Sequence, residues 1–271
     1  MTLAPIITLT TDFGYRDNFA GVMKGVILAI NPGARVMDLT HGLPRHDVAS
    51  AAFSLLTAVP HFPAGAIHVA VVDPEVGSPR AIAAVRTSDS LFLAPDNGLL
   101  SYILEKYPDH QARQVQCPDI LPPLLSRTFH GRDVLAPAAA HLALGFPFEN
   151  LGPEMNNLVR LPSLRAEVGP DSIKGRVIYV DGYGNLITNI PNHLVAAWPP
   201  RSVISLGPVI ITGLSPSYGT APAGAWLAVA GSGGFLEIAR NQGRAENPPA
   251  LTVGTPVTVR KAYPVSSRGG R

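Results

Sequence analysis

The sequence predicts an α/β fold: an N-terminal, mostly parallel sheet with helices on both faces, followed by a smaller, barrel-like all-β domain. Two observations favour this fold. In the first half, continuous apolar runs typical of buried strands alternate with apolar residues at helical spacing, as in a parallel sheet with both faces covered. In the second half, short strand-like runs are separated by turn residues, and helical patterns are scarce.

The N-terminal elements follow from local patterns. Residues 6–10 form a continuous apolar and threonine-rich strand pattern, and apolar residues recur at helical spacing over 19–30 until Asn31-Pro32-Gly33 ends the helix. The next predicted elements are a strand at 35–39, a helix at 48–59, strands at 67–72 and 91–94, and a helix at about 99–106. A last helix is predicted to begin at Asp133, which suits an N-cap, with Pro137 in its first turn.

The pattern changes after residue 144. Residues 146–170 are rich in Pro, Asn and Gly and show no clear period. The predicted organisation is an α/β domain over 1–150, a linker over 151–170 and a β domain over 171–271. The strands predicted in the β domain are 177–180, 186–190, 203–206, 209–211, 227–230, 235–239 and 257–259.

Composition excludes several classes of protein. Hydrophobic residues make up 46% of the chain and charged residues 15%, which indicates a globular protein rather than a disordered one. The net charge of +2 comes from basic residues spread along the chain, so nucleic acid is not an expected partner. Residues 202–236 carry no charge, but their prolines and glycines favour short strands over a membrane span.

The expected location is the cytoplasm. The N-terminus lacks the basic region of a signal peptide, and its apolar stretch carries Asp12 early. Cys117 is the only cysteine, so no intrachain disulfide can form and a reducing compartment is expected. No basic residue adjoins Cys117 in sequence, which favours a structural thiol over a nucleophile.

Polar clusters follow three of the predicted strands. Asp12 follows the first strand, residues 38–41 the second and Asp73 the third, while His130 and Arg132 stand at a helix entry. Ligands of open parallel sheets bind beyond the carboxyl ends of the strands, so a shared site is predicted there. The alternative is that these aspartates cap helices or bind loop N–H groups.

The residues give partial support to three other chemistries. A metal site could draw on Asp12, Asp38, Asp73, His41, His46 and His130, but no spacing typical of metal ligands occurs. Gly14 follows a strand, yet no G-x-G-x-x-G dinucleotide motif is present. The G-x-S-x-G motif of a serine nucleophile is also missing from the sequence.

Seven motifs in order resemble the S-adenosyl-L-methionine (SAM) hydroxide adenosyltransferase family, the hydrolytic relatives of fluorinase and chlorinase. They are TTDFG at 10–14, MKG at 23–25, DLTH at 38–41, VVDP at 71–74, PDNG at 95–98, TFHGRD at 128–133 and DGYGN at 181–185. The resemblance implies hydrolysis of SAM to adenosine and L-methionine without metal or other cofactor. It also implies a homotrimer with sites between the N-terminal domain of one subunit and the C-terminal domain of its neighbour.

The resemblance also implies roles for individual residues. The catalytic trio of the family corresponds to Asp73, Arg80 and His130: Asp73 and His130 orient and deprotonate water, and Arg80 stabilises its hydroxide character. Which of Asp73 and His130 takes the proton stays open. The implied substrate-binding residues are Asp12 and Thr128 for the ribose, Asn185 for the adenine edge, and His46 and Phe129 for the pocket lining. Asp17, Asp181 and Ser232 are implied for the methionine end, with Asp181 countering its ammonium group.

The sequence leaves two alternative functions open. One is a halide-using adenosyltransferase. Three residues argue against it: fluorinase has a tyrosine where Asp73 stands, and a tyrosine and a serine where His130 and Gly131 stand. The other is a non-catalytic SAM or adenosine binder, against which stands the complete trio. One departure concerns Gly233, where fluorinase has an arginine for the methionine carboxylate, so backbone N–H groups are expected to hold that group here.

Overall fold

The computed structural model describes residues 6–122, 126–246 and 251–262. The chain divides into two compact units, Met1–Ser163 and Leu164–Arg271. Over the described ranges, no helix is long and apolar enough to cross a membrane.

In the described residues of the N-terminal unit, a six-stranded mixed sheet is accompanied by four α-helices. Its strands are β1 (Ile6–Thr11), β2 (Arg35–Thr40), β3 (Ala66–Val71), β4 (Ile82–Arg86), β5 (Ser90–Pro95) and β6 (Gln111–Gln114). Its α-helices are α1 (Phe19–Ile30), α2 (Val48–Ala58), α3 (Ser101–Lys106) and α4 (Ala136–Ala143). The strand order is β2-β1-β3-β5-β4-β6; the first three pairs are parallel, and β4 runs antiparallel to both neighbours.

Helices cover both faces of this sheet, as predicted. On one face, Ile7 and Val69 pack with Met23 of α1 and the alanines of α4. On the other, Val72 and Phe92 pack with α2 and α3. Alternate residues of β3 therefore bury in different cores, which is why this strand has a continuous rather than an alternating apolar pattern. Each large apolar side chain buried here contributes about 1.5–3 kcal/mol.

Two features of this unit differ from the sequence prediction. Strands β4 and β6 were not predicted, and they make the far side of the sheet antiparallel. Asp133 was predicted as an N-cap, which is wrong: a π-helical turn, Gly131–Leu135, precedes α4, and Asp133 lies inside it. The Asp133 carboxylate instead accepts hydrogen bonds from the backbone N–H of Ser126 (2.7 Å) and from Arg132.

The C-terminal unit is an eight-stranded, barrel-like antiparallel sheet around its own core. The strands are β7 (Glu167–Val168), β8 (Ser172–Val180), β9 (Leu186–Pro191), β10 (Val203–Leu206), β11 (Val209–Thr212), β12 (Trp226–Ala230), β13 (Phe235–Arg240) and β14 (Pro256–Arg260). Their order is β11-β10-β14-β8-β9-β13-β12, with β7 beside β8. All seven predicted strands are present. The short helix α5 (Asn192–Ala196) was not predicted.

Candidate active-site residues in two cavities

A cavity of about 300 Å³ lies in the N-terminal unit, where β1 and β3 end. Seven of the residues predicted from the sequence line it: Asp12, Asp17, His46, Asp73, Thr128, Phe129 and His130. The carboxyl-end rule for parallel sheets therefore places the cavity correctly. Arg80 is not among its lining residues; it is buried beside Asp73 and His130.

Asp73, Arg80 and His130 form one connected polar cluster. Arg80 meets both carboxylate oxygens of Asp73, with Nε 2.7 Å from Oδ1 and Nη2 against Oδ2. The same Nη2 lies 2.9 Å from His130 Nδ1. The Asp73 and Arg80 side chains are only 6% and 5% exposed, so their attraction is weakly screened by solvent. Arg80 thus holds the two cavity-facing groups together.

The Arg80 contact decides which nitrogen of His130 carries the proton. A guanidinium only donates, so His130 Nδ1 must accept, and the neutral ring carries its hydrogen on Nε2. Burial, and next the positive charge of Arg80, hold the pKa of His130 below its ordinary value. His130 is therefore neutral over more of the acidic range than a free histidine.

Asp12 is fixed by an unusual backbone conformation. His46 has φ +65°, one of two left-handed residues other than glycine among the described ranges, and its N–H donates to Asp12 Oδ2 at 2.8 Å. Such a conformation costs on the order of 1–3 kcal/mol and persists only when its surroundings enforce it. The helix that follows begins independently, since Asp47 caps the N–H of Ser50. His46 is therefore a specialised turn residue, not a helix start.

A polar relay fixes the loop that carries Asp12. Lys24 Nζ donates to Asp38 Oδ2 at 2.6 Å, Asp38 Oδ1 lies 3.0 Å from His41 Nε2, and His41 Nδ1 is 2.8 Å from the Thr11 hydroxyl. Although partial burial opposes it, hydrogen bonding to Lys24 and His41 holds the pKa of Asp38 below its ordinary value. The carbonyl of His41 also accepts from the N–H of Gly14 at 2.7 Å. The MKG and DLTH motifs therefore support this loop rather than line the cavity.

An aromatic cluster forms the apolar wall. Phe129 meets Phe13 and Phe19 edge-on, with ring centroids 5.9 and 5.3 Å apart. A Cβ added to Gly131 would lie 3.0 Å from Met23 Sδ and 3.2 Å from the Phe129 ring, closer than ordinary contacts. Glycine at 131 therefore lets the π-helical turn pack against α1 with Phe129 and His130 in place.

The PDNG motif supports the loop after β3. Asn97 Nδ2 donates to the carbonyl of Val72 at 2.8 Å, directly before Asp73. The other amide atom, Asn97 Oδ1, accepts from the N–H of Leu99. The motif therefore anchors the backbone from which the Asp73 side chain projects.

A second cavity, of about 760 Å³, lies in the C-terminal unit. The other three predicted residues, Asp181, Asn185 and Ser232, line it. Asp181 and Asn185 also build their own turn: Asp181 Oδ1 accepts from the N–H groups of Tyr183 and Asn185 at 2.8 and 2.9 Å, and Oδ2 accepts from Asn185 Nδ2 at 3.0 Å. The DGYGN motif therefore forms a tight turn, and two of its residues also line a cavity.

Ser232 stands at the tip of the β12–β13 hairpin. The hairpin closes through Gly231 N–H to the carbonyl of Phe235 at 3.0 Å, and Asn192 Nδ2 donates to the Gly231 carbonyl at 2.8 Å. Within the described part of the chain, no hydrogen bond uses the N–H of Ser232 or Gly233. Two adjacent backbone donors are therefore free for a ligand.

Sequence reasoning missed several lining residues. Arg45 lines the first cavity. Tyr218 and Glu237 line the second, and the Tyr218 hydroxyl donates to Glu237 Oε1 at 2.5 Å. Burial and the negative charge of Asp181, opposed by the Tyr218 hydrogen bond, raise the pKa of Glu237. A glutamate in a strand carries no local signal of such a position.

Cys117 and His68 are not among the residues that line these cavities. Cys117 is a half-buried free thiol beside the N-terminal core. His68 is fully buried against Thr8 and Phe92. No group of three or more His, Cys, Asp or Glu residues within 6–122, 126–246 and 251–262 has an arrangement that could hold a metal ion.

Comparison with known proteins identifies the family. The SAM hydroxide adenosyltransferase N-terminal domain matches residues 7–152, and the C-terminal domain of the same family matches 175–258. The chain is 38% identical to the (R)-S-adenosyl-L-methionine hydrolase of Salinispora arenicola, covering 96% of this chain and 99% of that protein. It is 39% identical to the hydrolase of the same name from Thermus thermophilus, with 94% and 99% covered.

A solved structure agrees with this assignment. An uncharacterized conserved protein from Thermotoga maritima superposes with a TM-score of 0.88 at 32% identity, covering 94% of this chain and all of that one. Both domains of the family are matched in order, and the relatives are similar over nearly their full lengths. The chain belongs to the SAM hydroxide adenosyltransferase family.

Proposed function

We propose that this protein hydrolyses SAM to adenosine and L-methionine by in-line attack of water on the ribose 5′-carbon. The observation that carries the proposal is the Asp73–Arg80–His130 cluster, which presents a carboxylate and an imidazole to one cavity. The names and extent of the similar proteins support the same reaction. Asp12, in the same cavity, is suited to the ribose diol because a carboxylate accepts from two hydroxyls at once.

The reaction suits a water-poor cavity. A bond forms between the water oxygen and C5′ while the C5′–S bond breaks, and its electron pair neutralises the sulfonium as methionine departs. The nucleophile loses a proton to a protein base, so opposite charges disappear together in the transition state, which low polarity favours. Holding water in line can contribute up to about 7–11 kcal/mol.

The proton acceptor in this proposal is Asp73. Neutral His130 has its only lone pair, on Nδ1, directed at Arg80, so Nε2 offers a donor and not a base. Oδ1 of Asp73 also accepts from the N–H of Glu75 at 3.3 Å, whereas Oδ2 keeps a further lone pair beside its Arg80 contact. His130 therefore orients the water, Asp73 takes the proton, and Arg80 stabilises the hydroxide character through both partners.

The remaining contacts divide between the two cavities. In the N-terminal unit, Thr128 is assigned to the ribose, Asp17 to the methionine end, and His46 and Phe129 to the cavity wall. In the C-terminal unit, Asn185 meets the adenine edge while Asp181 and Ser232 meet the methionine end. The free N–H groups of Ser232 and Gly233 support backbone recognition of the carboxylate, without the arginine of fluorinase.

The proposed assembly is a cytoplasmic homotrimer in which each active site combines the N-terminal unit of one subunit with the C-terminal unit of its neighbour. The family resemblance suggests this arrangement. The division of the predicted residues between cavities in two separate units is compatible with it. No cofactor is required, because the sulfonium is itself the activated leaving group.

Incubation of the pure protein with SAM in oxygen-18 water tests the reaction. Label in the 5′-hydroxyl of adenosine, with unlabelled methionine, is the expected result. Chloride-dependent formation of 5′-chloro-5′-deoxyadenosine would replace the proposal with a halide-using reaction. Tight SAM binding without any adenosine would replace it with a binding function.

A further inference from the structure

Glu237 occupies a distinctive position in the C-terminal cavity. It lies on β13, is only 7% exposed, and still lines the cavity. Its Oε1 accepts from the Tyr218 hydroxyl, whereas no described donor meets Oε2. A Cβ added to Gly231 would lie 3.0 Å from Oε2, so this oxygen lies directly against the hairpin tip.

Within the described part of the chain, none of the cations around this cavity pairs with Glu237. Arg244 is paired with Glu246 at 2.6 Å, and Arg240 donates to the carbonyl of Gly224 at 2.9 Å. Among the described residues, neither Asp181 nor Glu237 forms an ion pair. A buried carboxylate without a cationic partner is unfavourable, and a bound cation removes that cost.

Lone pairs distinguish the two carboxylates. Asp181 already accepts three hydrogen bonds from its own turn, two of them on Oδ1. Among the described residues Glu237 accepts one hydrogen bond, on Oε1, and no donor there meets Oε2. An ammonium donates up to three hydrogen bonds and needs unused acceptor positions. Glu237 has more of these than Asp181.

The surroundings of Glu237 match an α-amino acid. The free N–H groups of Ser232 and Gly233 are suited to a carboxylate, and they follow Gly231, against which Glu237 Oε2 lies. The ammonium and carboxylate of methionine share one carbon, so their binding groups must be neighbours. We propose that Glu237 binds the α-ammonium of the methionine part of SAM, next to a carboxylate site at Ser232 and Gly233.

This inference rests on the proposed function, and a substrate comparison tests it. Glu237→Gln keeps the size and the acceptor for Tyr218 but removes the charge. The probes are SAM and its analogue in which hydrogen replaces the α-amino group. For SAM, kcat/KM of the variant is expected to fall roughly 10- to 100-fold, mainly through KM, and for the analogue less than about threefold. Glu167→Gln, an exposed glutamate on β7, is the matched control and should leave both unchanged.

Equal losses for SAM and the analogue would overturn the inference, because a merely structural glutamate affects both alike. If the wild type releases no adenosine, the proposed function fails separately, and calorimetric binding of the same two compounds takes the place of kinetics. Weaker binding of SAM alone by Glu237→Gln then still supports the ammonium site. No difference between the wild type and the variant in that experiment overturns it.

Discussion

At the residue scale, His130 depends on Arg80 for its tautomer. The guanidinium fixes the proton on Nε2, while burial and next the positive charge of Arg80 lower the pKa of the ring. Because its pKa is lowered, His130 is protonated only in more acidic solution. Protonation also removes the Nδ1 lone pair that accepts from Arg80. The ordinary histidine pKa of 6.5 is therefore an upper limit for the acidic limb of His130-dependent activity.

We accordingly expect the acidic limb of kcat/KM for SAM to have its midpoint below pH 6.5. The measurement is adenosine release across pH 4.5–9 at constant ionic strength.

His130→Ala should lower kcat by roughly 100-fold or more, while SAM binding measured by calorimetry changes little. An acidic limb centred above pH 6.5, or equal losses of binding and turnover in His130→Ala, would contradict these roles.

Gly131 shows how a residue without a side chain defines the site. Gly131→Ser would force Met23 and Phe129 apart, because even the Cβ lies within 3.0–3.2 Å of them. Overpacking of this kind costs about 1–3 kcal/mol. We expect a lower thermal midpoint and reduced SAM turnover, since Phe129 and His130 directly precede the crowded position.

Thermal melts and steady-state kinetics of Gly131→Ser and Gly131→Ala test this expectation. The alanine variant carries only the crowding Cβ, so it separates crowding from the hydroxyl. Wild-type stability and activity in both variants would show that the π-helical turn adjusts freely.

At the scale of elements, the end of β1 is held by a relay that starts outside the cavity. Asp38→Asn removes the charge that joins Lys24 to His41, and so loosens the loop that carries Asp12. We expect the Kd for adenosine to rise by roughly three- to tenfold, because an exposed or half-buried pair contributes about 1 kcal/mol. Calorimetry with adenosine checks this, with the exposed Asp109→Asn as control. Unchanged adenosine affinity would remove the relay from ribose binding.

The N-terminal sheet contains a second histidine with a lowered pKa. His68 of β3 is fully buried between Phe62 and Phe92, with Nδ1 2.8 Å from Thr8 Oγ1, and burial lowers its pKa to about 4. The unfolded chain, with a histidine pKa near 6.5, binds the proton first as the pH falls. Stability due to neutral His68 is therefore complete above pH 6.5 and is lost progressively towards pH 4.

We expect this group to cost the wild type on the order of 2 kcal/mol of unfolding free energy between pH 7.5 and pH 5. Urea denaturation at both pH values measures it, with the non-titrating His68→Asn as the reference. The variant should be less stable at pH 7.5 but should lose less on acidification. Equal losses in the two proteins would mean that His68 is protonated in the folded state.

The elements also show what sequence patterns can and cannot specify. The apolar continuity of β1 and β3 and the acidic residues after them predicted the sheet and one cavity, because burial and chain direction are local consequences of sequence. Strands β4 and β6 are defined by their pairing partners, and β6 is a polar segment without a strand pattern. Arg45, Asn192 and Glu237 acquire their positions only through tertiary contacts, which leave no motif. The predicted fold class and family are confirmed.

At the scale of the whole molecule, the predicted site residues fall into two sets on two compact units. Asp73 and His130 belong to the N-terminal unit, whereas Asp181 and Asn185 belong to the C-terminal unit. If sites form between subunits of a trimer, a subunit defective in one set can still supply the other. A variant of each unit can then repair the defect of the other in a mixed trimer, which a site within one subunit cannot do.

We therefore expect His130→Ala and Asn185→Ala, each nearly inactive alone, to regain activity when co-expressed. Random mixing in equal amounts gives intact sites at about one quarter of positions, so about a quarter of wild-type activity should return. Mass measurement in solution should give three chains of 28.5 kDa. Co-expression of His130→Ala with Asp73→Asn is the control, because both defects lie in one unit and no intact site can form. A monomeric mass, or no recovery in the first pair, would place each complete site within a single chain.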